Sequence, residues 1–116
     1  MKNLTVKNLI NANGNATPNQ FEIFADGQIY FQSYESLVAE IDFTKGLDNE
    51  VDDLFRGVIK LGRHWDYSRT TMKHLNTFLR NHASVVFDFY GDLEINAKSI
   101  RKLIADGVIA YDVEMI

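Results

Sequence analysis

Apolar and polar positions alternate along two segments near the start of the chain, and such a period of two is typical of half-buried strands. The alternation runs through 4–10 and resumes through 21–33. Asp26 and Gly27 interrupt the second run, and this pair favours a tight hairpin turn. Turn-forming residues, among them Pro18, fill 11–19. The pattern predicts a strand, a loop over 11–19 and then a β-hairpin.

The segment after the hairpin is ambiguous. Leu37, Val38 and Ile41 fit either a short helix or a bulged strand. Asp48 is a suitable cap for a short helix that runs to Arg56. Residues 58–61 are apolar enough to predict another strand.

The most informative stretch is 65–75, WDYSRTTMKHL, which combines a helix start with aromatic residues and cations. Asp66 or Ser68 can cap a helix that runs from about residue 68 to about residue 82. We expect Trp65 and Tyr67 to be mainly buried and to anchor this helix. Its apolar stripe is predicted to contain Met72, Leu75, Phe78 and Leu79.

The end of the chain predicts a further strand, helix and strand. Residues 84–90 are β-branched and aromatic, which favours a strand. Asn96 can cap a last helix that ends at Gly107, and 108–115 alternates like a strand. The core-facing residues of this last helix are predicted to be Ile100, Leu103 and Ile104. We therefore expect one α+β domain over 1–116, with a mostly antiparallel sheet of five or six strands and two main helices.

Composition narrows the possible chemistry. The chain has no cysteine, which excludes disulfides, thiolate zinc sites and cysteine nucleophiles. His74 and His82 would lie about 12 Å apart along a helix, so they cannot share one zinc ion. We expect no metal and no cofactor. No apolar run approaches the roughly 20 residues of a membrane span, so a cytoplasmic location without membrane association is expected.

Charge is divided along the chain, although the formal net charge is only −4. Seven acids lie within 35–53 with a single lysine, whereas six Lys or Arg and three His lie within 56–82 with a single acid. Such a division can create a bipolar surface. The simpler interpretation is that each block is a solvated face.

The predicted helix start has two interpretations. Hydroxyls on 68, 70 and 71, with Arg69 and Lys73, surround the positive end of a helix dipole and could seat a phosphate. Ordinary capping explains the same residues. The chain has no P-loop, dinucleotide fingerprint or nucleophile elbow, so we do not expect an enzyme.

Two groups of residues are candidate binding surfaces. An acidic group could imitate nucleic acid and enter a basic groove on a partner protein; it consists of Glu50, Asp52 and Asp53. A basic and aromatic group could instead bind nucleic acid directly, because rings stack on bases and cations neutralise phosphates. It consists of Arg63, Trp65, Arg69, Lys73 and Arg80.

The segments YFQSY at 30–34 and WDYSRTT at 65–71, followed by Lys73, resemble a group of small phage and plasmid proteins of Gram-positive bacteria. These proteins of unknown function share a YFQSY…WDYSxTTxK core, and the resemblance covers about residues 20–80. It implies an accessory protein that covers a site on a host enzyme or defence complex. We therefore expect a noncatalytic, protein-binding inhibitor of a host defence system, similar in action to an anti-CRISPR protein. The alternatives are a nucleic-acid-binding protein that uses 63–80 and, third, a small enzyme or ligand sensor.

Overall fold

The computed structural model describes residues 4–44, 57–112 and 114–115. Within these residues, six strands form one sheet whose order follows the chain, and two helices complete an α+β fold. Four successive strand pairs are antiparallel, and the last pair, β5 with β6, is parallel. The strands are β1 (Thr5–Ile10), β2 (Ala16–Ala25), β3 (Gln28–Ser33), β4 (Ser36–Asp42), β5 (Val58–Gly62) and β6 (Ile109–Asp112). The helices are α1 (Arg69–Phe89) and α2 (Ala97–Ala105). The predicted fold class is confirmed.

The predicted hairpin is formed by β2 and β3. Gly27 supplies the left-handed backbone of its turn, with φ of 77°. The ambiguous segment after Tyr34 is a strand, β4, whose register against β3 shifts beside Phe31. Pairing on both sides satisfies the main chain of β4, which explains why the strand wins over a short helix.

The loop predicted over 11–19 is shorter than expected, since β2 begins at Ala16. The register between β1 and β2 shifts between Asn8 and Ile10, so 17–20 have no register partners on β1, although Gln20 pairs with Ser33 of β3. Pro18 has no N–H to donate, and a bulge is where a strand tolerates it. The turn-forming residues of 11–19 therefore belong partly to a turn and partly to the irregular first half of β2.

The strand predicted over 84–90 is wrong, because α1 continues through Phe89. Ala83 has non-helical angles, with φ of −141°, and marks a kink. Val86 and Phe87 lie beyond the kink and are buried with the earlier apolar stripe of the helix. Burial against the sheet has overridden the strand propensity of these residues.

The last helix starts as predicted, with Asn96 and Ser99 forming a capping box. Gly107 follows its end in the left-handed region. Ile100 and Leu103 are buried, whereas Ile104 is only partly buried. The strand after it, β6, is shorter than the predicted 108–115. The helix predicted over 48–56 lies outside the described residues.

The core lies between the helices and one face of the sheet. Phe31 of β3 stacks on Phe78 of α1, with ring centroids 5.6 Å apart. A row of isoleucines crosses four adjacent strands on the same face: Ile29, Ile41, Ile59 and Ile109. This packing holds α1 on the sheet, and the first turn of the helix lies beside the turn between β3 and β4.

Candidate functional site

A cleft of about 590 Å³ lies where the first turn of α1 meets the turn between β3 and β4. Its apolar lining includes Val38, and its polar lining is dominated by hydroxyls. These come from Ser33, Ser36, Ser68, Thr70 and Thr71. The two parts of the YFQSY…WDYSRTT pattern, separated by thirty residues of sequence, thus meet at one site.

The sheet side of the cleft is shaped by the end of β3. Ser33 is the last residue of that strand, and Tyr34 follows with a left-handed φ of 55°. The Tyr34 N–H donates to the carbonyl of Asn19 at 2.7 Å, which holds the turn against β2. Ser33 is 5% exposed, and its Oγ has no hydrogen-bond partner among the described residues.

The helix side of the cleft is a well-defined N-terminus. Ser68, not Asp66, is the N-cap: its Oγ accepts the Thr71 N–H at 3.1 Å and donates to Thr71 Oγ1 at 3.1 Å. Within the described residues, the N–H groups of Arg69 and Thr70 have no protein acceptor. These free donors and the helix dipole give the cleft a positive end.

Aromatic side chains form the rim. Tyr34 is 58% exposed and Tyr67 is 77% exposed, and both line the cleft. The ring of His64 meets Tyr67 edge to face, with centroids 5.7 Å apart. The prediction that Tyr67 is buried is therefore wrong. The turn before α1 directs Trp65 into the core, and Tyr67, two residues later, lies outside it.

Trp65 is only 5% exposed, which confirms its predicted burial. The guanidinium of Arg101 lies 5.3 Å from the centroid of its ring. Arg101 also places Nη2 3.5 Å from Oδ2 of Asp66. Because its ring is covered, Trp65 is not available to stack on nucleic-acid bases.

The other members of the predicted basic group are all exposed. Arg63 lies before α1, whereas Arg69, Lys73 and Arg80 lie within roughly 40° on one side of the helix and span about 16 Å of it. We call these three residues the basic stripe. None of the four cations lies within 4.0 Å of a carboxylate in the described part of the chain. Nor does a described carboxylate line the cleft.

The three histidines lie in different environments. His64 lines the cleft. His82 lies on the later part of α1 and is hydrogen-bonded to Glu22 of β2. Burial lowers the pKa of His74 below its ordinary 6.5, and the positive charge of Lys73 lowers it further. The described residues contain no group of three side chains that could hold a metal ion.

Sequence analysis missed Ser33, Tyr34 and Ser36 as site residues. The YFQSY segment was the signal for Ser33 and Tyr34, but a strand end carries no chemical pattern that singles out one side chain, and Ser36 lies beyond the segment. The predicted acidic group of Glu50, Asp52 and Asp53 lies outside the described residues, so it remains a prediction. In the part of the chain that is described, no helix is long and apolar enough to cross a membrane.

Comparison with known proteins places these elements in a family. Residues 4–88, from β1 almost to the end of α1, match a family of unknown function, DUF8033, and the whole cleft lies within the matched part. No curated protein and no solved structure gives a significant match. Since the match covers well over half of its 116 residues, the chain belongs to the DUF8033 family.

Proposed function

We propose that the chain is a noncatalytic binding protein, an accessory protein of a phage or plasmid that occupies a site on a host protein of a defence system. The observation that carries this proposal is the cleft at the start of α1, with two exposed tyrosines on its rim. The resemblance to mobile-element proteins supports the biological setting.

The rim has the composition of a recognition surface. Tyrosine and arginine are enriched at protein interfaces, because each combines a large contact area with hydrogen-bonding groups. Tyr34 and Tyr67 expose large rings to solvent, although most of the other large apolar side chains of the motif are buried. Arg69 and Lys73, on the first turns of the same helix, have no carboxylate partner among the described residues, and their charge would speed association with an acidic partner surface.

The hydroxyls of the cleft favour binding over nucleophilic catalysis. An activated hydroxyl needs a base that is itself oriented by a third group. Ser68 and Thr71 instead bond to each other in the helix cap. The ring nitrogens of His64 have no hydrogen-bond partner within the described residues, so nothing there orients His64 as a base.

The proposal is tested by capture of proteins from a lysate of the natural host on the immobilised chain. The double variant Tyr34→Ala and Tyr67→Ala should capture the specific partner at least tenfold more weakly. Tyr111→Ala is the matched control, since Tyr111 is an exposed tyrosine on β6 that does not line the cleft. Equal capture by the double variant would show that the cleft is not the recognition surface.

The predicted acidic group adds a second proposed contact. Glu50, Asp52 and Asp53 would enter a basic groove that normally receives phosphates, because clustered carboxylates can imitate a polyanion. This contact is proposed from the sequence alone.

Nucleic-acid binding is the second candidate function, and the basic stripe is the observation that favours it. Its cations are aligned and have no carboxylate partner in the described part of the chain, which suits contacts to phosphates. Two findings weigh against it. The net charge is −4, and Trp65 is covered by protein.

A further inference from the structure

We propose that the cleft at the start of α1 and the basic stripe together bind an extended acidic segment of a partner protein, which is anchored in the cleft by one aromatic side chain. This inference rests on the proposed function, because it names the chemistry of the segment that the recognition surface accepts. Charge complementarity carries it, and the exposed rim of the cleft provides the place for the anchor.

The first support is the uncompensated charge of α1. The helix carries Arg69, Lys73 and Arg80, and its sequence contains no acid before Asp88. None of these three cations lies within 4.0 Å of a carboxylate in the described part of the chain. Carboxylates of a partner would therefore meet cations that have no counter-charge among the described residues.

The acids nearest to the cleft in sequence do not cancel this charge. Asp66 precedes the helix, and its Oδ2 lies 3.5 Å from Nη2 of Arg101. Glu35 lies in the turn between β3 and β4 and is exposed, but it does not line the cleft. The charge of Glu35 would oppose an acidic segment, so its removal provides a test in which binding should increase.

The second support is the rim of the cleft, and it does not depend on charge. Tyr34 is 58% exposed although its φ of 55° lies in the left-handed region. A side chain in that region is strained, because its Cβ crowds the following carbonyl oxygen. The exposed ring gains little from burial that could offset this strain, so contact with a partner explains the tyrosine better than folding does. Tyr34 and Tyr67 can pack on either side of an aromatic ring that enters the cleft.

The cleft and the basic stripe are adjacent along the helix. Arg69 lies between the cleft-lining residues Ser68 and Thr70, and the stripe then spans about 16 Å to Arg80. An extended chain rises about 3.3 Å per residue, so about five residues after the anchor reach the end of the stripe. A short acidic segment suits this surface better than a nucleic acid does, because a long polyanion would also meet the rest of a chain with a net charge of −4.

Synthetic peptides test the proposal on the full chain. The probe is one phenylalanine followed by about five glutamates, to match the length of the stripe. In one control peptide alanine replaces the phenylalanine, and in the other glutamines replace the glutamates. NMR titration should show saturable amide shifts at Tyr67, Arg69 and Lys73 with the probe, and affinity at least about fivefold weaker with either control.

Three outcomes of the titration would overturn the proposal. Equal binding of the glutamate and glutamine peptides would exclude the acidic chemistry. Equal binding of the phenylalanine and alanine peptides would exclude the aromatic anchor. Tighter binding of an oligothymidylate with the same charge as the probe would assign the surface to nucleic acid.

Charge variants separate binding from folding. Arg69→Glu should weaken binding of the probe at least about tenfold, because it reverses a cation of the stripe. Lys98→Glu is the matched control, since Lys98 is an exposed cation on the first turn of α2 and does not line the cleft. Both replacements place an acid where the helix dipole favours it, so both variants should remain folded. Glu35→Gln should strengthen binding. Equal affinity in Arg69→Glu and Lys98→Glu, or weaker binding by Glu35→Gln, would reject the charge contact.

The strained tyrosine provides a variant in which stability and binding should change in opposite directions. Tyr34→Gly relieves the left-handed strain, so the unfolding temperature should stay the same or rise. Binding of the probe should fall at least about fivefold, because one wall of the anchor site is lost. A lower unfolding temperature with unchanged affinity would show that Tyr34 has a structural role and would reject the anchor.

These results are distinguishable from those of the capture experiment. Loss of host-protein capture in the Tyr34 and Tyr67 double variant, without binding of the acidic probe by the wild type, would retain the recognition surface and reject the acidic segment. Binding of the probe with unchanged capture would retain the acidic chemistry and reject the proposed contact with the host protein.

Discussion

His82 Nε2 lies 2.5 Å from Oε2 of Glu22, which ties α1, just before its kink at Ala83, to the second strand of the sheet. Both side chains are largely buried, and the imidazole packs against the rings of Phe24 and Phe78. The pair is separated by sixty residues of sequence. It therefore holds the cleft-bearing helix to β2 through one polar contact within an apolar surrounding.

Replacing His82 with Ala should lower the free energy of unfolding by about 2–4 kcal/mol, because it leaves the Glu22 carboxylate buried without its partner. Glu22→Gln should lose much less, since an amide can still bond to the imidazole. Chemical denaturation of both variants and of the double variant measures the interaction free energy between His82 and Glu22. A loss of less than about 0.5 kcal/mol in His82→Ala would show that water satisfies Glu22.

Replacing Trp65 with Ala should cost about 3 kcal/mol or more, because it removes a buried indole and leaves a cavity beside Arg101. Tyr67→Ala, two residues away, should change stability by no more than about 0.5 kcal/mol, since that ring is exposed. Thermal melts of the two variants provide the comparison. Similar melting temperatures of the two variants would contradict the finding that Trp65 is buried while Tyr67 is exposed.

The lowered pKa of His74 predicts a loss of stability in acid. The unfolded state, with the ordinary pKa of 6.5, binds a proton more readily than the folded state does. Stability attributable to His74 is therefore complete above that value and is lost as the pH falls towards the lower folded pKa. His74→Gln should lose less stability than the wild type between about pH 7.5 and about pH 5. Urea denaturation at several pH values measures this difference. If the wild type and His74→Gln lose the same free energy of unfolding as the pH falls, His74 does not contribute to the acid sensitivity.

The elements that sequence predicted well are those with a local chemical signature. Asp26 and Gly27 marked the hairpin, and Asn96 and Gly107 marked the ends of α2. The error at 84–90 has a different origin, because Val86 and Phe87 suit a strand by propensity and a helix by burial. Only the packing of α1 on the sheet decides between the two.

The candidate site was predictable on one side only. Ser68, Thr70 and Thr71 carry the signature of a capped helix, and a phosphate seat there was one of two interpretations of the sequence. Ser33 and Tyr34 reach the same cleft through the strand order and a left-handed turn. Contacts between residues so distant in sequence depend on topology, which local patterns do not encode.

Short DNA and RNA should not bind tightly at physiological salt, because the chain is acidic overall and Trp65 is buried. Fluorescence anisotropy measures this directly. A submicromolar affinity would favour the second candidate function if it falls steeply with salt and disappears in the variant Arg69→Glu and Lys73→Glu. The control is Lys98→Glu and Lys102→Glu, which reverses two exposed cations with the same spacing on α2, of which Lys102 pairs with Asp106.

The acidic group gives the prediction that most directly concerns the host partner. Changing Glu50, Asp52 and Asp53 together to Lys should weaken capture of that partner by much more than tenfold, because a basic groove would then meet like charge. Circular dichroism should show an unchanged fold, since charges that the sequence predicts to be exposed contribute little to stability. Association measured by surface plasmon resonance should also lose its salt dependence. If the triple variant captures the partner as well as the wild type does, nucleic-acid mimicry is excluded and recognition is left to the cleft, which the Tyr34 and Tyr67 variants test independently.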